Sequence, residues 1–191
     1  MTGKLLERLS EKGDTALIVG VNTGFEVDAF PGVAVTGVDL LPPYRHDYQH
    51  VRGPLESADL GTYDIVYCSH VLEHVRDPGR FIDRLLGAMN HDGWLGLVVP
   101  PYPQETFFVG HLTLWTPALL LYHLVCAGQD CRAAEWYTTN QHIAVMVQRK
   151  PIEPSTGGFD VWEQVKGYMP CRFEHQMNAW LPGNWDLEKA A

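Results

Sequence analysis

Two apolar, strand-like runs one helix-length apart constrain the fold of this chain more than any other feature. The first, residues 15–19, leads into the loop Gly20-Val21-Asn22-Thr23-Gly24, and the second, residues 34–38, ends at Asp39. In a βαβ unit, loop glycines let a ligand approach the backbone, and an acid at the second strand tip accepts hydrogen bonds from two ribose hydroxyls. The pattern therefore predicts a nucleotide-type pocket.

Strand and helix signals alternate along most of the remaining chain. Further strands are predicted at residues 50–52, 63–68, 94–99, 133–137 and 143–148, and helices at residues 4–12, at 24–30, after Asp77-Pro78 and at 118–126. The aspartate and proline are typical of a helix start. Alternation that finishes in a strand pair predicts an α/β fold, Rossmann-like and doubly wound, with three layers and a mostly parallel sheet that has an antiparallel edge strand.

Composition limits the partners that the chain can bind. The formal net charge is −9 over 191 residues, and no run of lysine or arginine is present, so nucleic acid is not expected as a substrate. The amino-terminal residues lack a long apolar stretch and no segment reaches membrane-spanning length. We therefore expect a cytoplasmic protein with no membrane partner.

The composition changes after Lys150, where Pro151, Pro154 and Gly157-Gly158 precede a segment rich in tryptophan, tyrosine and phenylalanine. We predict a domain over residues 1–150 and an aromatic-rich carboxyl-terminal extension over residues 151–191. The extension is too short to form a core of its own. It would pack on the domain, cover the pocket or bury itself in a partner subunit, which would make the protein a homo-oligomer.

A cluster of potential ligands and bases follows the strand at residues 63–68. His70, Glu73 and His74 form an HxxEH pattern, and on a helix these three positions would share one face. The same spacing occurs in inverted-motif zinc peptidases, where it lies inside a longer helix rather than directly after a buried strand. The setting therefore argues against a peptidase.

Two segments carry a resemblance to a known family. They are Tyr63-Asp64-Ile65-Val66-Tyr67-Cys68-Ser69-His70-Val71-Leu72-Glu73-His74-Val75-Arg76-Asp77-Pro78 and Gly93-Trp94-Leu95-Gly96-Leu97-Val98-Val99-Pro100. Together with the glycine loop and Asp39, they resemble class I S-adenosylmethionine (SAM)-dependent methyltransferases of the type 11/23 kind, over residues 15–150. The resemblance implies the Rossmann-like fold, SAM as cofactor and a methyltransferase activity.

The resemblance also assigns cofactor contacts, with two departures from the family pattern. Ile18 stands where the family has an acid in strand one, and Asn22 replaces the middle glycine of the loop. An NAD-binding unit, the natural alternative, would have a third glycine at Val27 and a longer first helix. The residues that the resemblance assigns to the cofactor are Gly20, Asn22, Gly24, Asp39, Leu55, Glu56 and Ser69.

The histidine cluster resembles one subset of the family more closely than it resembles the rest. Ubiquinone O-methyltransferases and small-RNA 3′-terminal methyltransferases use an ExxEH set to hold a divalent metal, and His70 replaces the first acid here. With His111 from the loop after strand five, the set His70, Glu73, His74 and His111 would favour zinc, iron or another transition metal over magnesium. In the alternative interpretation these side chains brace the loop and line the pocket without a metal.

The catalytic residues predicted from this arrangement are His70, His111 and Tyr102. Histidine is the side chain most often used as a general base, and Tyr102 follows strand five on a loop that faces substrate in the family. We expect methyl transfer to oxygen or nitrogen of a small-molecule or glycan-type acceptor. Two alternatives remain open: a metal-dependent enzyme on the same fold, and a non-catalytic partner subunit that keeps only the SAM fold.

Overall fold

Seven strands form one sheet in the order β3-β2-β1-β4-β5-β7-β6. The computed structural model describes residues 2–102, 108–153 and 161–170. The strands are β1 (Thr15–Val19), β2 (Ala34–Asp39), β3 (Gln49–Arg52), β4 (Tyr63–Ser69), β5 (Met89–Val99), β6 (Glu135–Thr138) and β7 (Ile143–Gln148). β1 to β5 pair in parallel, whereas β7 lies antiparallel to both of its neighbours. The predicted Rossmann-like α/β sheet is therefore confirmed.

Helices cover both faces of the sheet, which gives the three predicted layers. On one face, α1 (Thr2–Ser10) buries Leu5, Leu6 and Leu9 against Ile18 and Tyr67. The other face is covered by α2 (Pro78–Gly87), α3 (Pro117–Cys126) and α4 (Val161–Val165). Because alternate residues of a strand point to opposite faces, a strand between two such layers must be apolar throughout, as the central strands are.

Two helices begin where the sequence places a capping residue before a proline. The Asp77 carboxylate accepts a hydrogen bond from the Arg80 N–H at 3.0 Å before α2, and the Thr116 hydroxyl accepts one from the Leu119 N–H at 3.2 Å before α3. Such side chains satisfy N–H groups that have no partner within the helix. α2 starts as predicted, with Asp77 as its N-cap and Pro78 as its first residue.

The connection after β1 differs from the sequence prediction. A helix was expected over residues 24–30, but the chain forms a 3-10 helix over Phe25–Ala29. Pro31 follows after Phe30, and Gly24 precedes the 3-10 helix with a left-handed backbone (φ 76°), so no room remains for a longer α-helix. This short crossover returns the chain to β2, which begins at Ala34 beside β1.

Part of the carboxyl-terminal extension belongs to the core. Val161, Val165 and Met169 are buried in the cluster that α2 and α3 share, and Trp162 and Tyr168 pack against it. The other aromatic residues of the extension, Phe159, Phe173, Trp180 and Trp185, lie outside the described residues. Within the described part of the chain, no helix has the length and apolarity needed to span a membrane.

One carboxylate ties together the amino ends of three strands. Asp64 at the start of β4 accepts hydrogen bonds from the N–H groups of Asp14 and Thr15, from the Thr15 hydroxyl and from the Asn90 amide, at 2.7–3.1 Å. These bonds, the Asn90 bond foremost, lower the pKa of Asp64. The carboxylate therefore stabilises the fold in its charged form.

We predict that Asp64→Ala lowers the free energy of unfolding by about 1–3 kcal/mol, the cost of losing charge-assisted hydrogen bonds at a partly buried site. Urea denaturation at neutral pH measures the loss. Because the folded-state pKa is depressed, the stabilisation is complete above the unfolded value of about 3.9 and is lost as the pH falls through the folded value. Stabilities of wild type and variant should therefore converge in acid.

Asp83→Ala is the matched control for this substitution, since Asp83 is exposed on α2. It should change the free energy of unfolding by less than about 0.5 kcal/mol. Equal effects of the two substitutions would contradict the anchoring role of Asp64.

Candidate functional site

A glycine with a left-handed backbone sets the turn after β1. Gly20 has a φ of 78°, and its N–H donates to the Val38 carbonyl oxygen at 2.8 Å. A Cβ at Gly20 would lie 2.3 Å from Cγ2 of Val71, far inside van der Waals contact. Only glycine therefore allows the ends of β1 and β2 and the segment after β4 to meet here.

Asp39, at the tip of β2, holds the next residues of the loop. One carboxylate oxygen accepts a hydrogen bond from the Asn22 N–H at 2.8 Å, and the other accepts one from the Leu41 N–H at 2.9 Å. Asn22 has a φ of 45°, a geometry that asparagine tolerates better than most residues. The turn thus survives the replacement of the middle glycine.

A cavity of about 870 Å³ opens at the carboxyl ends of β1, β2 and β4. This edge is where open parallel α/β sheets bind ligands. Six of the seven residues predicted to contact a cofactor line it: Gly20, Asn22, Asp39, Leu55, Glu56 and Ser69. The seventh, Gly24, stands immediately before the 3-10 helix that borders the cavity.

His70 follows β4 at the floor of the cavity and is held by a buried acid. Its backbone is left-handed (φ 54°), which is uncommon for a side chain of this kind and is typical of functional sites. Nδ1 of His70 lies 3.1 Å from Oε1 of Glu73, whose side chain is 0% exposed. Oε2 of Glu73 is buried without a hydrogen-bond partner among the described residues.

A second histidine, which the sequence analysis did not single out, completes this chain of contacts. Nδ1 of His142 lies 3.0 Å from Nε2 of His70, and the two rings meet edge to face. Burial, and secondly the neighbouring His70, lowers the pKa of His142. His142 lies in the β6–β7 turn, directly before Ile143, which pairs with Val99. Only the strand order, with β7 beside β5, reveals this proximity to the end of β4.

A different trio offers ligand atoms to a metal ion. Glu73, His74 and His111 each place one ligand atom within 4.8 Å of the others. Nδ1 of His74 lies 2.9 Å from the Gly110 carbonyl oxygen, and the rings of His74 and His111 are 4.7 Å apart. The loop after β5 thus brings His111 to the strand-four tip, as the sequence predicts.

The expected helical face of the HxxEH motif does not form. Only Leu72–His74 is helical, and it is a single 3-10 turn, while His70 belongs to the left-handed turn before it. His70 consequently lies outside the trio that could share an ion, and its Nδ1 contacts Oε1 of Glu73. The three side chains do not share a helical face because the motif begins at a strand end.

Tyr102 lies outside the lining of the cavity, whereas Glu26 belongs to it. Tyr102 is 43% exposed, its N–H donates to the Trp115 carbonyl oxygen at 2.8 Å, and it is not among the residues that line the cavity. Glu26, which the sequence analysis did not consider, does line the cavity.

Comparison with known proteins agrees with the fold. A family described as "Methyltransferase domain" matches residues 3–150. No curated protein matches the sequence.

Several solved structures share the architecture. The 1,6-didemethyltoxoflavin-N1-methyltransferase of Burkholderia thailandensis, solved with 1,6-didemethyltoxoflavin and S-adenosylhomocysteine (SAH), is 19% identical, with a TM-score of 0.63 over 78% of this chain and 76% of that one. The mitomycin 7-O-methyltransferase MmcR is 17% identical, with a TM-score of 0.61 over 78% and 54% of the two chains. The amino-terminal domain of EvdMO1, solved with SAH and D-fucose, is 15% identical, with a TM-score of 0.56 over 78% and 82%.

At these identities the structural likeness establishes the fold, which is that of class I methyltransferases. The sequence match is the stronger finding, because it spans most of the chain, from α1 through β7. The chain therefore belongs to the family of proteins that carry this methyltransferase domain.

Proposed function

We propose that this protein is a SAM-dependent methyltransferase that methylates oxygen or nitrogen of a small-molecule or glycan-type acceptor. The observation that carries the proposal is the cavity at the tips of β1, β2 and β4, where the Gly20 turn and the Asp39 carboxylate face the same space. The similar structures from B. thailandensis and of EvdMO1 were solved with SAH, which supports SAM as the cofactor.

The residues present fit a nucleoside with a ribose. Each oxygen of Asp39 accepts one backbone hydrogen bond, and a carboxylate oxygen has a second lone-pair site, so the carboxylate retains capacity for two vicinal hydroxyls. Leu55 is buried and Glu56 exposed at the β3 side of the cavity, where they would contact the adenine. Ser69 and His70 would contact the methionine half.

SAM, when bound, supplies an electrophilic methyl group, so the protein mainly aligns the acceptor and accepts its proton. We assign the proton to His70. If Nδ1–H of His70 donates to Glu73, then Nε2 is the acceptor and Nδ1–H of His142 donates to it. In that tautomer His142 occupies the lone pair of Nε2, so Nε2 takes the proton once the acceptor hydroxyl or amine replaces His142 as its partner. The positive charge that then arises on His70 lies beside a buried carboxylate that stabilises it.

We also propose His111 as a second candidate for the base and Tyr102 as a residue that contacts the substrate. His111, in the loop after β5, packs its ring edge to face against the ring of His74. The ring centroids of His111 and Phe108 are 5.0 Å apart. Tyr102 stands where this loop leaves the sheet and is partly exposed. The D-fucose in the EvdMO1 structure and 1,6-didemethyltoxoflavin in the B. thailandensis enzyme support an acceptor drawn from sugars or heterocycles.

We predict that Asp39→Ala weakens SAH binding at least about tenfold, because a pair of hydrogen bonds to a charged acceptor contributes roughly 1.5–3 kcal/mol. Isothermal titration calorimetry measures the affinity. Asp59→Ala is the control, since Asp59 is exposed and does not line the cavity. An unchanged affinity in folded Asp39→Ala would contradict the cofactor assignment. Absence of SAH binding by the wild type would favour the non-catalytic alternative.

We predict that His70→Gln lowers turnover by about 10²-fold or more, the usual contribution of a general base. SAH affinity should change less than about threefold, because glutamine keeps a hydrogen-bonding side chain beside the methionine half. Transfer from methyl-labelled SAM to a panel of phenols, amines and sugars identifies the best acceptor for the assay. His91→Gln, on an exposed histidine, should have wild-type turnover. If His70→Gln is fully active and His111→Gln is not, the base is His111.

A metal-dependent reaction is a second candidate, and the trio Glu73, His74 and His111 favours it. Two imidazoles and one carboxylate are a donor set for zinc or iron rather than magnesium. The buried Oε2 of Glu73, without a hydrogen-bond partner among the described residues, could bind such an ion. A metal there would orient acceptor hydroxyl groups beside the cofactor.

If the trio binds a metal, the purified protein should contain about one transition-metal ion per chain, and His74→Ala should lose it, because removing one of three protein ligands leaves too few donors. Elemental analysis by inductively coupled plasma mass spectrometry measures the content. His91→Ala is the matched control because its imidazole is 88% exposed and outside the trio. A metal-free wild type with full methyl transfer would rule this candidate out.

A further inference from the structure

The family pattern places an acid in strand one, near the amino group of the methionine half of the cofactor, and here Ile18 holds that position as part of the core. Ile18 is 1% exposed and packs in the cluster beneath α1. It pairs with Tyr67 of β4, and both side chains belong to the same cluster on the same face of the sheet. A charge at Ile18 would thus be buried without a partner, which is unfavourable by several kcal/mol.

Glu26 brings a carboxylate to this place from another element. It lies on the 3-10 helix directly behind the glycine loop, is half-buried, and lines the cavity with Gly20, Asn22 and His70. This 3-10 helix lies against α1, and its Val27 packs on the cluster that contains Ile18. Glu26 therefore belongs to an element on the face of the sheet where Ile18 is buried.

Glu26 is partly desolvated and has no cationic side chain paired with it among the described residues. Burial raises the pKa of Glu26, an effect that its own backbone N–H and then His70 oppose. In the described ranges, no lysine or arginine forms an ion pair with it. A cationic ligand group in the cavity would supply the missing partner.

The other two carboxylates of the cavity follow β2 and β3, the strands on the side of β1 away from β4. Asp39 belongs to the tip of β2, and Glu56 follows β3. Both are the acids that would contact the ribose and the adenine. Among the cavity-lining acids that the structure describes, Glu26 is the one on which His70, directly after β4, acts.

We propose that Glu26 binds the α-ammonium group of the methionine half of the cofactor, in place of the strand-one acid that this chain lacks. The inference rests on the proposed binding of SAM and extends it to a residue outside the family pattern. It accounts for a functional cofactor pocket in a chain with isoleucine at position 18.

The test compares two ligands that differ in the group concerned. SAH has the ammonium group, whereas 5′-methylthioadenosine keeps the adenine, ribose and thioether sulfur but lacks the amino-acid part. Calorimetry on the full chain should show that Glu26→Gln weakens SAH about tenfold, as expected for a charge-assisted hydrogen bond, and changes 5′-methylthioadenosine less than twofold. Glu26→Ala provides a second variant, and thermal unfolding checks that each variant is folded.

Two control variants separate this role from general effects of charge. Glu11→Gln removes an exposed carboxylate outside the cavity and should leave both affinities unchanged. Glu56→Gln, at the adenine side, should affect both ligands alike. Equal effects of Glu26→Gln on the two ligands, or none on SAH, would overturn the inference while leaving the cofactor assignment intact. Binding of neither ligand by the wild type would overturn both.

Discussion

The close contact between Gly20 and Val71 is the constraint on which the site depends. A backbone with a φ of 78° and no room for a Cβ allows β1 to stop directly against the segment that follows β4. β4 makes a left-handed turn of its own at His70. Two adjacent parallel strands thus end in sharp turns at one edge, and the space above them is the cavity.

Two of the carboxylates that line the cavity, those of Asp39 and Glu26, differ in their surroundings. Asp39 uses both carboxylate oxygens to hold the glycine loop and the chain after β2, so it is oriented before any ligand arrives. Glu26 is partly desolvated. The chain as a whole carries a net charge of −9, and acids that line a cleft raise the local concentration of a cationic ligand such as a sulfonium. The preorganised Asp39 and the partly desolvated Glu26 both favour such a ligand.

Much of the fold could be predicted from the sequence, because the central strands are buried on both faces and their apolar runs have few alternatives. The strands at residues 15–19 and 143–148 are found within the predicted bounds. Helical spacing predicts the wrong geometry for the HxxEH motif, because the motif begins at a strand end where His70 has a left-handed backbone. His142 could not be found without the order of β5 and β7, which periodicity does not determine.

Glu73 shows why the two candidate chemistries compete for one side chain. A fully buried carboxylate is unfavourable unless a positive charge or several donors compensate it. Oε1 contacts His70, whose ring is supported by His142, whereas Oε2 is the oxygen without a hydrogen-bond partner in the described chain. Protonated His70 would compensate the charge from one side, and a metal held with His74 and His111 would do so from the other. A metal there would also withdraw electron density from the carboxylate, which would make His70 a weaker base. The main contribution of this cluster would then be to orient the acceptor rather than to take its proton.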